Sequence, residues 1–176
     1  MDYMRLQLCV LSWMAVLLLV VSAGVCLAEA GLVAHYAFDE GRGDIAADSS
    51  GSHNDGRIHG AKWAPLAGGY ALEFDGVNDL VDCGSSPSLD IRGPMTMSAW
   101  FCPSGLQSGP EPGLMGKQFS RFLLTLWGSD LAWYLNWGAG GSYTVASAPS
   151  AGWFHAAVTY DGKSMRIYVN GVLVAD

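Results

Sequence analysis

The sequence predicts an all-β fold, two antiparallel sheets packed face to face in a jelly-roll sandwich, and three observations predict it. Apolar residues come in strand-length runs with period-two alternation, and Gly, Asn, Asp or Pro ends nearly every run. No twelve-residue window after Ala30 keeps a helical period. Gly reaches 23 of 176 residues while charged residues supply only 14%, well under the usual quarter, which suits a protein of many turns.

Residues 1–28, "MDYMRLQLCVLSWMAVLLLVVSAGVCLA", come first. Arg5 closes a short basic region, an apolar stretch follows, and Cys26-Leu27-Ala28 or Ala28-Glu29-Ala30 offers small residues for cleavage, so this segment reads as a secretory signal peptide. An uncleaved signal anchor is the other reading, since a spanning helix needs about 20 apolar residues. Val25 before Cys26 does not give the small residue that a lipoprotein signal needs. Either way residues 29–176 form one exported domain, secreted, periplasmic or held at the cell surface. Beyond a possible anchor no membrane contact is expected.

In "LVAHYAFD", Val33, His35 and Ala37 alternate with Ala34, Tyr36 and Phe38, the pattern of a first strand. The polar loop "DSSGSHNDGRIHG" (48–60) follows. Then come "YALEFDG", "DLVDCG", "MTMSAWFCP", "RFLLTLWG", "LAWYLNWG", "WFHAAVTYDG", "MRIYVNG" and "VLVAD", each a strand ended by a turn. Asp161-Gly162 and Asn170-Gly171 specify two consecutive hairpins, because both dipeptides supply the positive φ that tight turns require. "RFLLTLW" is apolar on both faces and must be covered twice.

The formal net charge is −7, and losing Asp2 and Arg5 with the leader leaves it unchanged. Such a surface repels nucleic acid and anionic membranes. Cys9 and Cys26 belong to the leader; Cys83 and Cys102 either form a disulfide, worth about 3 kcal/mol in an oxidising compartment, or remain two separate buried thiols.

No complete catalytic constellation is present. Glu73 and Asp75 in "EFDGVND" share a face, as a glycosidase pair would, but Asn78 stands where a third acid would be needed, and Gly76 ends the strand. "RGD" at Arg42–Asp44 is too short to be specific and sits in a Gly-rich turn. His35 and His155 fall within strands and read as packing residues. Zinc at His53, His59 and Asp55 lacks any regular spacing.

The aromatics of "LWGSDLAWYLNWGAGGSY" matter more, because sugar rings present apolar C–H faces that stack on Trp and Tyr. Trp133 shares a face with Leu135 and is assigned to the core; Trp137 and Tyr143, nearer the loop, are the candidate ligand-binding residues.

The segments "GLVAHYAFDEGRGDIAADSSGSHNDGRIHGAKW", "ALEFDGVNDLVDCGSSPSLDIRGPMTMSAWFCP" and "GWFHAAVTYDGKSMRIYVNGVLVAD" together resemble the LamG-like jelly-roll domains of the concanavalin A-like lectin/glucanase superfamily. The resemblance implies an exported, non-catalytic module that binds a glycan or an extracellular protein, or an accessory domain of a larger hydrolase or adhesin. Domains of this kind continue past the "YVNG" hairpin into a closing strand, so it also implies a jelly roll missing its closing strands. It matches the polar loop to a structural calcium site, and calcium prefers six to eight oxygens. Asp48, Asn54 and a carbonyl of Gly51 or His53 would supply half of that shell. It further suggests that His155 and a neighbouring Trp are structural.

Overall fold

The computed structural model describes residues 31–103, 113–117, 122–135 and 141–176, together with the backbone of residues 4–7. In chain order the strands are β1 (Met4–Gln7), β2 (Ile45–Ala46), β3 (Gly56–His59), β4 (Lys62–Leu66), β5 (Gly69–Phe74), β6 (Leu80–Asp82) and β7 (Met95–Pro103). They continue with β8 (Gly113–Lys117), β9 (Phe122–Trp127), β10 (Asp130–Leu135), β11 (Tyr143–Ser147), β12 (Phe154–Tyr160), β13 (Met165–Val169) and β14 (Val172–Ala175). The only helical element among the described residues is a single 3₁₀ turn, Pro87–Leu89.

The strands form one seven-stranded sheet in the order β14-β13-β12-β7-β1-β5-β4, a four-stranded sheet in the order β11-β10-β9-β8, and a three-stranded sheet in the order β2-β3-β6. All pairs are antiparallel. The large sheet is one layer of the sandwich, and the two smaller sheets divide the opposite layer between them. Along β7, β12 and β13, the inward residues Ala99, Phe101, Phe154, Ala156, Val158 and Ile167 cluster with Phe122, Leu124, Leu126, Leu131, Trp133 and Ala146 of the four-stranded sheet. A second cluster of Phe38, Ala46, Ile58 and Leu72 joins the three-stranded sheet to β5. Burying these alternate residues on both inner faces is what holds the layers together, at roughly 25 cal/mol for each Å² of apolar surface removed from water.

The two expected hairpins are present. Val169 pairs with Val172 across Asn170 (φ 50°) and Gly171 (φ 79°), a two-residue turn in which both central residues have positive φ. The Asp161-Gly162 connection is longer: Asp161 Oδ1 accepts the N–H groups of Lys163 and Ser164, and its carboxylate also meets Arg166 at 2.9 Å. These bonds hold the Asp161 carboxyl down at about 2.

Strands β2, β3, β4, β8 and β11 fall outside the expected strand runs, and two further departures stand out. "LVAHYAFD" is not a strand; it makes a single bridge, Tyr36 to Asp48, and Phe38 has φ 53°. Its backbone groups are taken by the polar loop instead. The Val33 carbonyl accepts from Asn54 Nδ2 at 2.7 Å, the His35 N–H donates to Asp48 Oδ1 at 2.9 Å, and the His35 carbonyl accepts from the Ser49 N–H at 2.9 Å. The other departure is β1, which lies between β5 and β7 although the sequence reading sets residues 1–28 aside as a leader.

Candidate functional site

The polar loop is organised around one carboxylate. Asp48 is only 8% exposed. Its Oδ1 accepts the N–H groups of His35 and Ser50, and its Oδ2 accepts the Ser50 hydroxyl and the Asn54 N–H, each at 2.9 Å. Burial alone would raise the pKa of this carboxyl, but the three N–H groups and the hydroxyl outweigh burial and lower it. Asn54 is buried as well; its side chain bonds the Val33 carbonyl and Ser88 Oγ, while its own carbonyl accepts the Tyr36 hydroxyl. Burial, the Cys83 thiol and nearby carboxylates raise the Tyr36 pKa, so the hydroxyl stays protonated and able to donate.

This bonding does not fit the half-shell of calcium ligands expected from Asp48, Asn54, Gly51 and His53. A carboxylate offers about four lone-pair positions, and protein donors occupy all four on Asp48. Asn54 is likewise spent on the fold, which leaves only the carbonyls of Gly51 and His53, too few for six to eight oxygens. Among the described residues no group of three or more His, Cys, Asp or Glu side chains could hold a metal ion. The carboxylate does by hydrogen bonding what an ion would do by coordination: it ties the loop to the segment that precedes it.

The aromatic face lies on the other layer. In the four-stranded sheet the register sets Trp127 opposite Asp130, Thr125 opposite Ala132 and Leu123 opposite Tyr134, while Tyr134 also faces Tyr143. Directly opposed residues project to the same side, so Trp127, Tyr134 and Tyr143 share one face and the core residues Leu124, Leu126 and Trp133 share the other. Trp127 is 50% exposed and Tyr143 57%. Tyr143 stacks on Tyr134 with centroids 5.4 Å apart and takes the edge of Trp127 at 6.2 Å, making a continuous three-ring surface. Between the end rings lie Thr125 and Ala132, both fully buried. The exposed Trp127 and Tyr143 are therefore carried by strands, β9 and β11, and the sheet surface between them is covered.

Tyr143 is thus exposed as expected, and Trp133, wholly buried, is core as expected. Trp137 lies outside the described residues. Trp127 and Tyr134 complete the face; the sequence reading includes both in the aromatic stretch without singling them out as ligand-binding residues. Their signal is the alternation itself: Trp127 is in phase with Leu123 and Thr125, and Tyr134 is out of phase with the core Trp133.

The remaining candidates have structural roles. Cys83 and Cys102 are unpaired, which corrects the disulfide option: Cys83 follows β6 in the three-stranded sheet and Cys102 sits in β7 of the large one. Burial also raises the Cys83 thiol's pKa and keeps it protonated. Asp75 Oδ1 accepts the Val77 N–H at 2.8 Å, so this carboxylate caps its turn while Glu73 stays on β5. In the Arg-Gly-Asp turn, Asp44 pairs with Arg57 at 3.5 Å and the Gly43 carbonyl accepts Trp63 Nε1 at 2.9 Å, both supporting the turn. His35 Nδ1 and Ser49 Oγ share a hydrogen bond at 2.5 Å, and the Ser49 hydroxyl also lies 3.1 Å from the His35 carbonyl, so the pair ties the loop to the segment before it. His155 packs against Trp100 on the outer face of the large sheet, centroids 5.4 Å apart, and burial lowers its pKa.

A family model described as the concanavalin A-like lectin/glucanases superfamily matches residues 75–176, more than half of the chain. No match was found among curated proteins or among solved structures. The antiparallel sandwich, its paired core clusters and the matched segment agree: the chain belongs to the laminin G-like domains of the concanavalin A-like lectin/glucanase superfamily.

Proposed function

We propose that the chain is an exported, non-catalytic binding module that takes a neutral glycan on the outer face of the four-stranded sheet. One observation carries this reading: Trp127 and Tyr143 are half-exposed and, with the partly buried Tyr134, form a contiguous ring surface, a costly arrangement for side chains that fill cores elsewhere in the same sheet. Such a surface matches the apolar faces of pyranose rings, and Trp and Tyr offer hydrogen-bonding groups at the rim. Asp130 shares this face, opposite Trp127, and the chain's net charge is −7, which disfavours sulfated or uronic acid chains. Export is part of the proposal and is supported by the leader-like residues 1–28. Calcium has no role in it.

A glycan array probed with the secreted protein, in calcium and in chelator, tests the proposal. Binding to neutral oligosaccharides that is indifferent to chelator and falls at least tenfold in Trp127→Ala and Tyr143→Ala is the expected result. A folded sample that binds no glycan would overturn it.

A second reading is favoured by a separate observation. Val172, Leu173 and Val174 on the outermost strand β14 are exposed apolar residues, a surface suited to packing against a neighbouring domain. On that reading the chain is an accessory domain of a larger exported hydrolase or adhesin, or it recognises an extracellular protein. Leu173→Lys would then weaken association with that neighbour and leave glycan binding untouched.

A further inference from the structure

The aromatic face ends in a charge that no described residue neutralises. Asp130 lies opposite Trp127 on β9 and opposite Ser147 on β11, so these residues form one row across three strands. Leu123, Tyr134 and Tyr143 form another row of the same face. The rows are separated by four residues of strand, roughly 13 Å, which puts Asp130 at one end of the ring surface. Trp127 leans along the face toward the other row, since its ring centroid lies 6.2 Å from that of Tyr143. Asp130 is partly buried, and among the described residues no Lys, Arg or His pairs with it: the ion pairs join Asp44 to Arg57, Asp90 to Arg92, and Arg166 to Asp161 and Asp176. The strands of this sheet contain one Lys, Lys117, and no Arg or His. Lys117 lies opposite Phe122, in the row of the core rather than on the aromatic face.

The rings and the carboxylate select the same sign of ligand. The faces of Trp and Tyr carry the negative part of the ring quadrupole and attract a cation within about 6 Å of the centroid. An unpaired carboxylate beside them attracts a cation by Coulomb's law, and the net charge of −7 adds a field of the same sign. A neutral sugar laid on Trp127 covers part of the Asp130 carboxylate and returns only hydroxyl donors. An ammonium returns charge-assisted hydrogen bonds, which are the stronger kind. Opposed residues have Cβ atoms about 5 Å apart, so a pyranose stacked on Trp127 carries its ring substituents to the Asp130 carboxylate. Ser147, exposed on the other side of Asp130, offers a hydroxyl to a neighbouring sugar oxygen.

We infer that the glycan this face prefers carries a free amino group, on an unacetylated hexosamine unit whose ring lies on Trp127 and whose ammonium meets Asp130. The inference rests on the glycan reading above and names the sugar class within it. Tyr134 and Tyr143 hold the next units of the chain, which need no charge. Neutral chains stack on the same rings without the ion pair and bind more weakly, while chains bearing sulfate or carboxylate at that unit are repelled. Asp130 is thus a specificity-determining residue, selecting by charge where Trp127 selects by shape.

The test titrates linear trimers of glucosamine, of N-acetylglucosamine and of glucose into the full chain, followed by NMR at a pH where the amine is protonated. The glucosamine trimer should bind about three- to tenfold more tightly than either neutral trimer, the return expected from one partly exposed ion pair reinforced by a ring. That preference should vanish in the near-isosteric Asp130→Asn. It should persist in Asp39→Asn, which removes the same charge from an exposed position beside Phe38 and the three-stranded sheet. Salt at about 1 M, where the screening length is about 3 Å, should erase the preference in the parent protein, a measurement that needs no variant. Equal affinities for the trimers, a preference that survives Asp130→Asn or high salt, or one that Asp39→Asn also removes would each overturn the inference. Equal affinities would leave the glycan reading standing. No binding of any trimer by a folded sample would overturn the inference as well, and the array then decides separately whether the glycan reading falls with it.

Discussion

Asp48 shows how one side chain can decide the shape of a loop. Four hydrogen bonds converge on a buried carboxylate, and removing it leaves the N–H groups of His35, Ser50 and Asn54 without their acceptor. Asp48→Ala should destabilise the domain by about 2–4 kcal/mol, the range for breaking a buried hydrogen-bonded network, as read by urea denaturation. Calcium should not shift the melting temperature of the parent protein; a rise that Asp48→Ala abolishes would restore the metal reading. Because this carboxyl's pKa is lower in the folded chain than in the unfolded one, its contribution is complete above the unfolded value of about 4 and is lost as pH falls through the folded value. The stability gap between the parent and Asp48→Asn should therefore narrow in acid below about pH 4, and a gap that widened there would contradict the assignment. On the other layer, Trp127→Ala removes a ring that is half in water. It should change stability by less than about 1 kcal/mol while abolishing glycan binding, a separation that a core tryptophan such as Trp133 could not show.

At the scale of elements, the hairpin after β13 rests on backbone conformation. Gly171 has φ 79° and open space where a methyl group would stand, so Gly171→Ala meets no clash and tests conformational strain alone. A loss of about 1 kcal/mol in thermal or urea unfolding is expected, and no loss would mean that the turn relaxes to another type. Strands that form apolar runs ended by turn residues were legible in the sequence: β5, β6, β7, β9, β10, β12, β13 and β14 all match the expected runs to within a residue. Of the strands that were missed, β3 is the centre of its sheet but lies inside the stretch read as a polar loop, and the others, β11 among them, are edges or carry weak patterns. β4 contains Pro65 and lies at the border of its sheet, where a missing N–H costs little. β8 holds two glycines at the border of the four-stranded sheet, and β2 has two residues. The opposite error, a strand expected at "LVAHYAFD", arose because period-two alternation is blind to competition from side chains. Asp48 and Asn54 capture the backbone groups that a ladder would have used. The same limit applies to the site: alternation marks which aromatics share a face, but only the pairing of three strands shows that Trp127, Tyr134 and Tyr143 converge.

Across the whole molecule, one large sheet is faced by two smaller ones, and each interface has its own apolar cluster. The larger cluster fixes the four-stranded sheet from beneath, so its outer face is held rigid without a ligand. Leu124→Ala, at the centre of that cluster and fully buried, should cost about 2–5 kcal/mol in urea denaturation and weaken glycan binding only in proportion to the unfolded fraction. The central claim is that recognition happens on the outer aromatic face, and the indole N–H resonances report on it directly. In a titration of ¹⁵N-labelled protein with a neutral oligosaccharide selected on the array, the Trp127 indole signal should shift progressively while that of buried Trp133 stays in place. Saturable binding with Trp127 unmoved, or with the shift confined to Trp100 on the large sheet, would contradict it.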